Sequence, residues 1–436
     1  MRPASPASLP PLPAATWAVW IVLGIPWAVA AQAEPAAEPE AEPEAAPEPA
    51  APPDSEAAAD APADAAGDGG IADWEPELDA RLYVLWRLTD ESDDPTNEFL
   101  LNSMRAQATW RPADWVKAVL EVEAEQLVQA GTADGMLRDA YIGLTAFPWL
   151  EVRAGQFKRP FSRIELLPRR RLTTIDRGLV NRWAVGRLGY GERDVGVALG
   201  GRLWDAARLD YAVGVFNGNG AGVLEGDGYG FKDFSARLDA RPVRWLSLGL
   251  SFSLDTLEDG DLPYLVDPAI FAAVDPAEYP GGYTEDDFRT EHAWMVGTSW
   301  MSGADVAVRA GGLWLLVEAV FGQNWWFEGR PLTTGVTLLA SYEIELSDAW
   351  GIRLEPVFRG ELVIPRIAFP DVRIWRAVAG MNLQLGDYVR LMVDGEFTRV
   401  EGAEPDDVTR DGLWPGEWPG GWEDTSCLLV QLAFDV

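Results

Sequence analysis

Seven short turns flanked by aromatic residues divide most of this chain into alternating segments. They read Trp110-Arg-Pro-Ala-Asp-Trp115, Phe147-Pro-Trp149, Trp204-Asp-Ala-Ala, Arg241-Pro-Val-Arg-Trp245, Trp300-Met-Ser-Gly, Leu346-Ser-Asp-Ala-Trp350 and Leu385-Gly-Asp-Tyr388. Between them lie longer, polar, irregular loops. Seven tight turns at one end imply eight hairpins, hence sixteen strands. Short turns at one end, long loops at the other and aromatic rings at the strand ends are the layout of a transmembrane antiparallel β-barrel. An amphipathic ring sits well at headgroup level, whereas a soluble sandwich has no reason to place Trp and Phe beside its turns.

Alternation along single strands supports this all-β reading. In the segment from Tyr388 to Val400, Val389, Leu391, Val393 and Phe397 share one face, and Arg390, Asp394, Glu396 and Thr398 share the other. Ile352, Leu354, Pro356 and Phe358 likewise oppose Arg353, Glu355, Arg359 and Glu361. Successive side chains point to opposite faces of a sheet, so each strand has one apolar and one polar side. In a barrel the apolar side faces acyl chains and the polar side lines water. Runs of about 10–13 residues are long for a globular sheet and suit a tilted membrane strand. Sixteen strands enclose an aqueous channel rather than a packed interior. The segment Cys427 to Val436, with Leu428, Val430, Leu432 and Phe434 on one face, suits the closing strand.

The N-terminus gives an address. Arg2 precedes an apolar run ending in Ala31-Gln32-Ala33, which reads as a cleaved secretory signal over residues 1–33. Residues 34–70 hold eleven acidic residues and no basic or aromatic one. This stretch reads as a disordered acidic Pro/Ala-rich tether, because it cannot bury enough apolar surface to offset ordering. Residues 71–436 form the barrel domain. The whole chain carries a net charge of −34, which excludes nucleic acid as a partner. Cys427 is the only cysteine, so an internal disulfide and a C-x-x-C site are excluded.

One segment runs against the acidic trend. Lys158, Arg159, Arg163, Arg169, Arg170, Arg171, Arg177, Arg182, Arg187 and Arg193 lie within 36 residues, opposed only by Glu165, Asp176 and Glu192. It is the third long loop, and the expectation is that it folds into the lumen. Guanidinium groups at a constriction focus positive potential where low-dielectric walls surround it. Their planar fork suits oxyanions and stays charged at any relevant pH, and rings of Arg are the expected device of an anion pore. The alternative is that these arginines pair with lumen carboxylates or lipopolysaccharide phosphates. By alternation Arg105, Arg153, Arg202, Arg237, Arg353, Arg359 and Arg390 also face inward, where Asp239, Glu355, Asp394 and Glu396 could neutralise several of them.

Asp139-Ala-Tyr-Ile-Gly-Leu, Leu150-Glu-Val-Arg-Ala-Gly-Gln-Phe-Lys-Arg-Pro-Phe-Ser162 and Gly191-Glu-Arg-Asp-Val-Gly-Val197 resemble the phosphate-selective porin O and P family. The resemblance covers about residues 139–205 and, in hairpin layout, extends loosely to the end. It implies a sixteen-stranded homotrimeric porin whose third loop binds small anions such as phosphate through arginines between Arg163 and Arg187. The phosphate-specific members also carry lysine clusters. This chain has only Lys117, Lys158 and Lys232, and its outer stretch from Leu257 to Phe288 is acidic. General anion preference is therefore expected rather than phosphate specificity.

The sequence thus reads as an outer-membrane porin of a Gram-negative-type bacterium, passing small solutes by diffusion among outer-membrane lipid and lipopolysaccharide. The alternative is a non-conducting barrel acting as adhesin or anchor, which would need no arginine cluster in its lumen. No metal site or cofactor is expected. His292, the single histidine, has no G-x-S-x-G or H-x-x-x-H neighbourhood, so no enzyme is expected. The Trp-rich stretch from Glu401 to Asp424 reads as a solvated outer loop. Deleting residues 34–70 should leave barrel assembly unchanged, measured by heat-resistant migration on a gel; loss of assembly would show a structural role for the tether.

Overall fold

Strands with one apolar and one polar face must turn the two faces to different surroundings, and closing the sheet removes the unpaired edges that hydrocarbon cannot tolerate. The computed structural model describes residues 76–90, 96–124, 136–218, 220, 232–257, 296–325, 329–368, 370, 372–402 and 425–435. The expected signal, the acidic tether, His292, most of the acidic stretch after Leu257 and most of the Trp-rich stretch after Glu401 lie outside these residues.

The first hairpins are built from β1 (Glu77–Asp90), β2 (Asn97–Ala113), β3 (Val116–Glu123), β4 (Leu137–Phe147) and β5 (Leu150–Lys158). After the third long loop come β6 (Arg193–Trp204), β7 (Leu209–Phe216), β8 (Asp233–Val243) and β9 (Leu246–Leu257). Then follow β10 (Gly297–Ala310), β11 (Leu313–Gln323), β12 (Leu332–Tyr342) and β13 (Ile344–Ser347). The last are β14 (Ile352–Ile364), β15 (Arg373–Leu385), β16 (Val389–Glu401) and β17 (Thr425–Asp435). Every neighbouring pair is antiparallel, and β1 pairs with β17, from Arg81 opposite Asp435 to Asp90 opposite Ser426, so the sheet is closed. Both β12 and the short β13 pair with β14, interrupted at Glu343. They are two pieces of one barrel strand, and the barrel therefore has sixteen.

Six of the seven expected turns lie where the sequence places them. The seventh does not. Trp300-Met-Ser-Gly sits inside β10, and the chain reverses at Gly311-Gly312 instead. A two-residue hairpin needs positive φ, which glycine adopts at no steric cost; Gly311 has φ 57°. Trp300 packs against Phe321, ring centroids 5.7 Å apart, well away from that turn. An aromatic ring near a strand end marks either rim of such a barrel, and here it marks the long-loop rim.

The outward face is apolar and open to the surroundings. Leu78, Phe99, Leu120, Ile142, Val197, Leu250, Phe358 and Phe397 are all exposed. At the short-turn end Trp115, Phe147, Trp149, Trp204, Trp245, Trp350 and Tyr388 are each more than half exposed. Such a surface is stable in hydrocarbon with an aromatic rim at the interface. Among the described residues no helix is long and apolar enough to cross a membrane.

The apolar core lies inside the barrel, where the third long loop packs on the wall. From the loop, Phe161, Leu179, Val180, Trp183, Val185 and Leu188 meet Met301, Val320, Val363 and Ile374 of the inner wall. Ile164, Leu167 and Leu172 meet Ala307, Leu316 and Leu339, and Ile175 meets Leu85, Met392 and Leu429. The inner wall is thus not uniformly polar. It carries apolar residues beside its carboxylates where the loop packs on it.

Bringing a loop into the lumen buries its backbone polar groups, which must find partners. Wall carboxylates supply them. The Oε1 and Oε2 atoms of Glu318 accept from the backbone N–H of Arg163 (2.9 Å) and Ile164 (3.0 Å), the first residues of α1 (Arg163–Leu166). Glu361 accepts from Leu179 (2.9 Å) and Val180 (3.2 Å), the start of α2 (Leu179–Asn181). Asp394 accepts from Ile175 at 2.7 Å. Glu361→Ala would also strip Arg359, 3.0 Å away, of a buried partner. Breaking such a pair costs about 3–5 kcal/mol. The loop in that variant should become cleavable by trypsin at Arg169–Arg171 while the barrel keeps its heat-resistant migration; continued protease resistance would show that Glu361 is not a clamp.

Candidate functional site

The loop between β5 and β6 is positioned by its own arginines as well as by the wall. Arg159 donates to Asp233 (2.8 Å), Ser235 (3.2 Å) and Ser253 (2.6 Å), and pairs with Asp255. Arg163 bonds Asp239 at 3.0 Å and pairs with Asp305. Arg193 reaches Asp139 at 2.6 Å and Glu121 at 3.4 Å. Lys158 meets Glu165 at 2.8 Å. Arg177 lies 3.5 Å from Glu165 and donates to the carbonyls of Leu167 (2.7 Å) and Ile164. From the wall, Arg390 donates to the Leu172 carbonyl (2.9 Å) and Asn382 to that of Thr173 (2.8 Å). Apart from those of Arg193 with β3 and β4, these contacts run from β8 round to β16, and space remains beside the loop toward β15–β17 and β1–β4.

That space contains two cavities. One, of about 280 Å³, is lined by loop residues Glu165, Arg169, Asp176, Arg177, Arg182 and Glu192 together with Lys158, Arg193, Arg105 of β2 and Arg138 of β4. Seven of its lining residues are basic and three acidic, a formal balance of +4. The other, of about 170 Å³, is lined from the wall by Leu85, Arg87, Thr89, Asn102, Arg376, Glu396, Thr398, Thr425 and Cys427. Arg169, Ile175, Asp176 and Arg182 border both cavities. Guanidinium groups thus face the first cavity from the loop and from the opposite wall.

The expected site residues divide by place. Lys158 and Arg193 are the last and first residues of strands rather than loop positions. Arg159 and Arg163 border neither cavity; they anchor the loop. Arg169, Arg170 and Arg171 form a single 3-10 turn, half-buried, with the Arg169 guanidinium 5.7 Å from the Tyr83 ring centroid. Arg182 pairs with Asp176 at 3.1 Å, and Arg187 ends the helical turn that follows α2. Among the strand arginines, Arg105 lines the cavity and pairs with Glu121 and Glu123. Arg237 is taken up by Asp239 and Asp305, and Arg359 by Asp176 and Glu361. Arg153 pairs with Glu151 beneath the Tyr141 ring, Arg202 with Asp210, and Arg353 lies 3.7 Å from Glu343. Inward carboxylates neutralise much of the expected ladder.

Arg138 and Arg376 are cavity-lining residues absent from the sequence expectation. Arg376 shares an inward face with Ile374, Val378 and Asn382, so alternation along β15 marks it. Arg138 is the second residue of β4, close to a stretch outside the described residues. The clamps Glu318 and Glu361 were marked only as single acidic residues in otherwise apolar runs, Leu313-to-Phe321 and Gly360-to-Ile364.

No protein-family model matches the sequence, and no curated protein does. Solved structures do match. An anion-selective porin from Comamonas acidovorans aligns over 83% of this chain and 99% of its own, with TM-score 0.54 and 12% identity. OmpF of Salmonella typhi, in complex with daunomycin, aligns over 83% and 97% with TM-score 0.54 and 9% identity. The outer membrane channel DcaP of Acinetobacter baumannii aligns over 83% and 97% with TM-score 0.51 and 10% identity. The fold is that of the outer-membrane porins. At these identities the likeness is one of fold, and the chemistry of the lumen has to be argued from this chain's own residues.

Two loop carboxylates show how strongly the arginines act. Burial alone would raise the Glu165 carboxyl, but Arg177 and Lys158 beside it hold it down to about 2. Burial likewise opposes the Asp176 carboxylate, and Arg376, Arg359 and Arg182 hold it well below the usual range. A depressed carboxyl contributes stability that is present above its ordinary value and lost as pH falls through the depressed one. Glu165→Gln should therefore lower the hydrogen-exchange protection of the loop amides as much at pH about 4 as at neutral pH; an effect that vanished in step with ordinary carboxylate titration would show the pairing to be weak.

Proposed function

We propose that this protein is an outer-membrane porin that passes small water-soluble solutes by diffusion and prefers anions. The observation that carries the reading is the cavity beside the loop, with seven basic residues against three acidic ones on its lining. A small solute passing the loop comes within reach of Arg105, Arg138, Arg169, Arg177 and Arg182, and fixed positive charge in a narrow low-dielectric passage concentrates anions there. The acidic outer stretch works against entry. At physiological salt the Debye length is about 8 Å, so charge at the mouth is largely screened from the interior. One structure of like fold is described as an anion-selective porin, in keeping with this reading.

Phosphate specificity is not part of it, because three lysines cannot build a lysine-rich funnel. The reading is of a passive channel, not an enzyme: a chain with one histidine and one cysteine offers few catalytic pairs. It includes a cleaved signal over residues 1–33, a homotrimer and a surround of outer-membrane lipid and lipopolysaccharide.

The test is the reversal potential of the purified channel in a planar bilayer under a KCl gradient. The native channel should favour chloride, and Arg169→Gln/Arg170→Gln/Arg171→Gln should move the potential toward cations. A cation-selective native channel, or one indifferent to the triple substitution, contradicts the proposal; absence of conductance favours the anchor reading.

Glu192 gives a pH dependence. Burial and the neighbouring Glu165 raise its carboxyl above the ordinary value. It therefore protonates early as pH falls, and the balance on the cavity lining rises by one positive charge. Chloride preference should increase between pH 7 and about 5, and Glu192→Gln should show the higher preference already at neutral pH with a flatter response. An unchanged pH profile in that variant would place Glu192 out of the ions' reach.

A further inference from the structure

Asp176 stands where the two cavities meet, and its surroundings are those of a bound anion. Its Oδ2 lies 2.9 Å from Nη2 of Arg376 and 3.1 Å from Nη2 of Arg182. Its Oδ1 accepts from Arg359 and from the Gly178 backbone N–H at 3.0 Å. Three guanidinium groups from β14, β15 and the loop converge on one carboxylate. Arg359 also has Glu361, and Arg376 also has Glu396, so the six groups carry no net charge together. The Asp176 and Arg182 side chains are 25% and 40% exposed. The centre of the cluster is therefore open to the lumen, while Arg359 and Arg376 are buried beneath it.

We propose that Asp176 is a specificity-determining residue: a tethered carboxylate that occupies the oxyanion position formed by Arg182, Arg359 and Arg376, so that passing anions are attracted to the constriction but not held there. The inference rests on the anion-channel reading and goes beyond it, because it assigns the low retention of anions to one side chain. A pore must bind its ion well enough to admit it and weakly enough to release it. Without Asp176 the three converging guanidiniums, two of them still paired with Glu361 and Glu396, would offer a divalent oxyanion one net positive charge and several charge-assisted hydrogen bonds and slow its exit. A carboxylate fixed by the chain fills those donors permanently. Its removal leaves one uncompensated positive charge and a vacant set of N–H donors at the point bordering both cavities.

The experiment compares the native channel with Asp176→Asn and Arg182→Gln, each checked for heat-resistant migration and trypsin resistance. One unit charge at about 8 Å in water, screened over a Debye length of about 8 Å, changes the occupancy of each ion about 1.4-fold in opposite senses, and so changes their ratio about two-fold. Asp176→Asn should raise the chloride-over-potassium permeability ratio by about that factor, and added sulfate should reduce its chloride current at lower concentration than in the native channel. Arg182→Gln should move the ratio the other way. If the Asn variant fails to assemble, Asp176→Ser, which also removes the carboxylate, takes its place with the same expected shifts. An unchanged ratio and unchanged sulfate sensitivity in Asp176→Asn, or shifts of both variants in one direction, overturns the inference. A cation-selective native channel ends the anion reading separately, because the opposite shifts of the two variants are measured relative to whatever the native value is.

Discussion

Carboxylates on the inner wall that accept backbone N–H groups hold the lumenal loop, and the shape of the passage depends on them. A chain segment inside a barrel cannot leave its amides unpaired. Glu318 and Glu361 each take two successive N–H groups at the start of a short helix, and Asp394 takes the amide of Ile175 between them. Carbonyls are met in turn by Arg390, Asn382 and Arg359. Negative charge at a helix start is favourable on its own account, although helices this short contribute little of it. The clamps act together with the apolar packing of Phe161, Trp183 and Leu188 against Met301 and Val320. Hydrogen bonds give the loop its position, and apolar contact excludes the water that would compete for them.

The same acids that place the loop also take up much of its charge. Asp233, Asp255, Asp239 and Asp305 absorb Arg159 and Arg163 before either reaches a solute. A basic run therefore serves two ends. Its first arginines are anchors, and Arg169, Arg177 and Arg182 border the space that remains. Charge on a lumen segment cannot be read as field on a solute until its partners are known. Burial makes this division strict, because an unpaired guanidinium held away from water would be far more costly than a paired one.

The sheet was legible in the sequence because its constraint is periodic. Alternation such as Val389, Leu391, Val393 against Arg390, Asp394 repeats every second residue, and a short turn interrupts it at a fixed place. Where the turn signal was chemical rather than aromatic, as at Gly311-Gly312, a ring at Trp300 drew attention to the wrong rim. The inward course of the third loop was legible from its charge, set against an acidic chain. Its pairing was not, since Arg163 and Asp305 are 142 residues apart and nothing local links them. Glu361 looked like an ordinary pore-lining acid; only the loop's backbone, brought beside it and Glu318, makes them clamps. Arg138 and Asp176 were hidden for the same reason, their meaning lying in what faces them across the lumen.

Hydrogen exchange of the purified protein in detergent tests the account most directly. If wall carboxylates hold the loop, the amides of Arg163, Ile164, Ile175, Leu179 and Val180 exchange slowly, on the timescale of neighbouring strand amides such as those of β11 and β14. Exchange of these amides as fast as an exposed turn would mean the loop is not clamped, and the arrangement of arginines around the passage would lose its support.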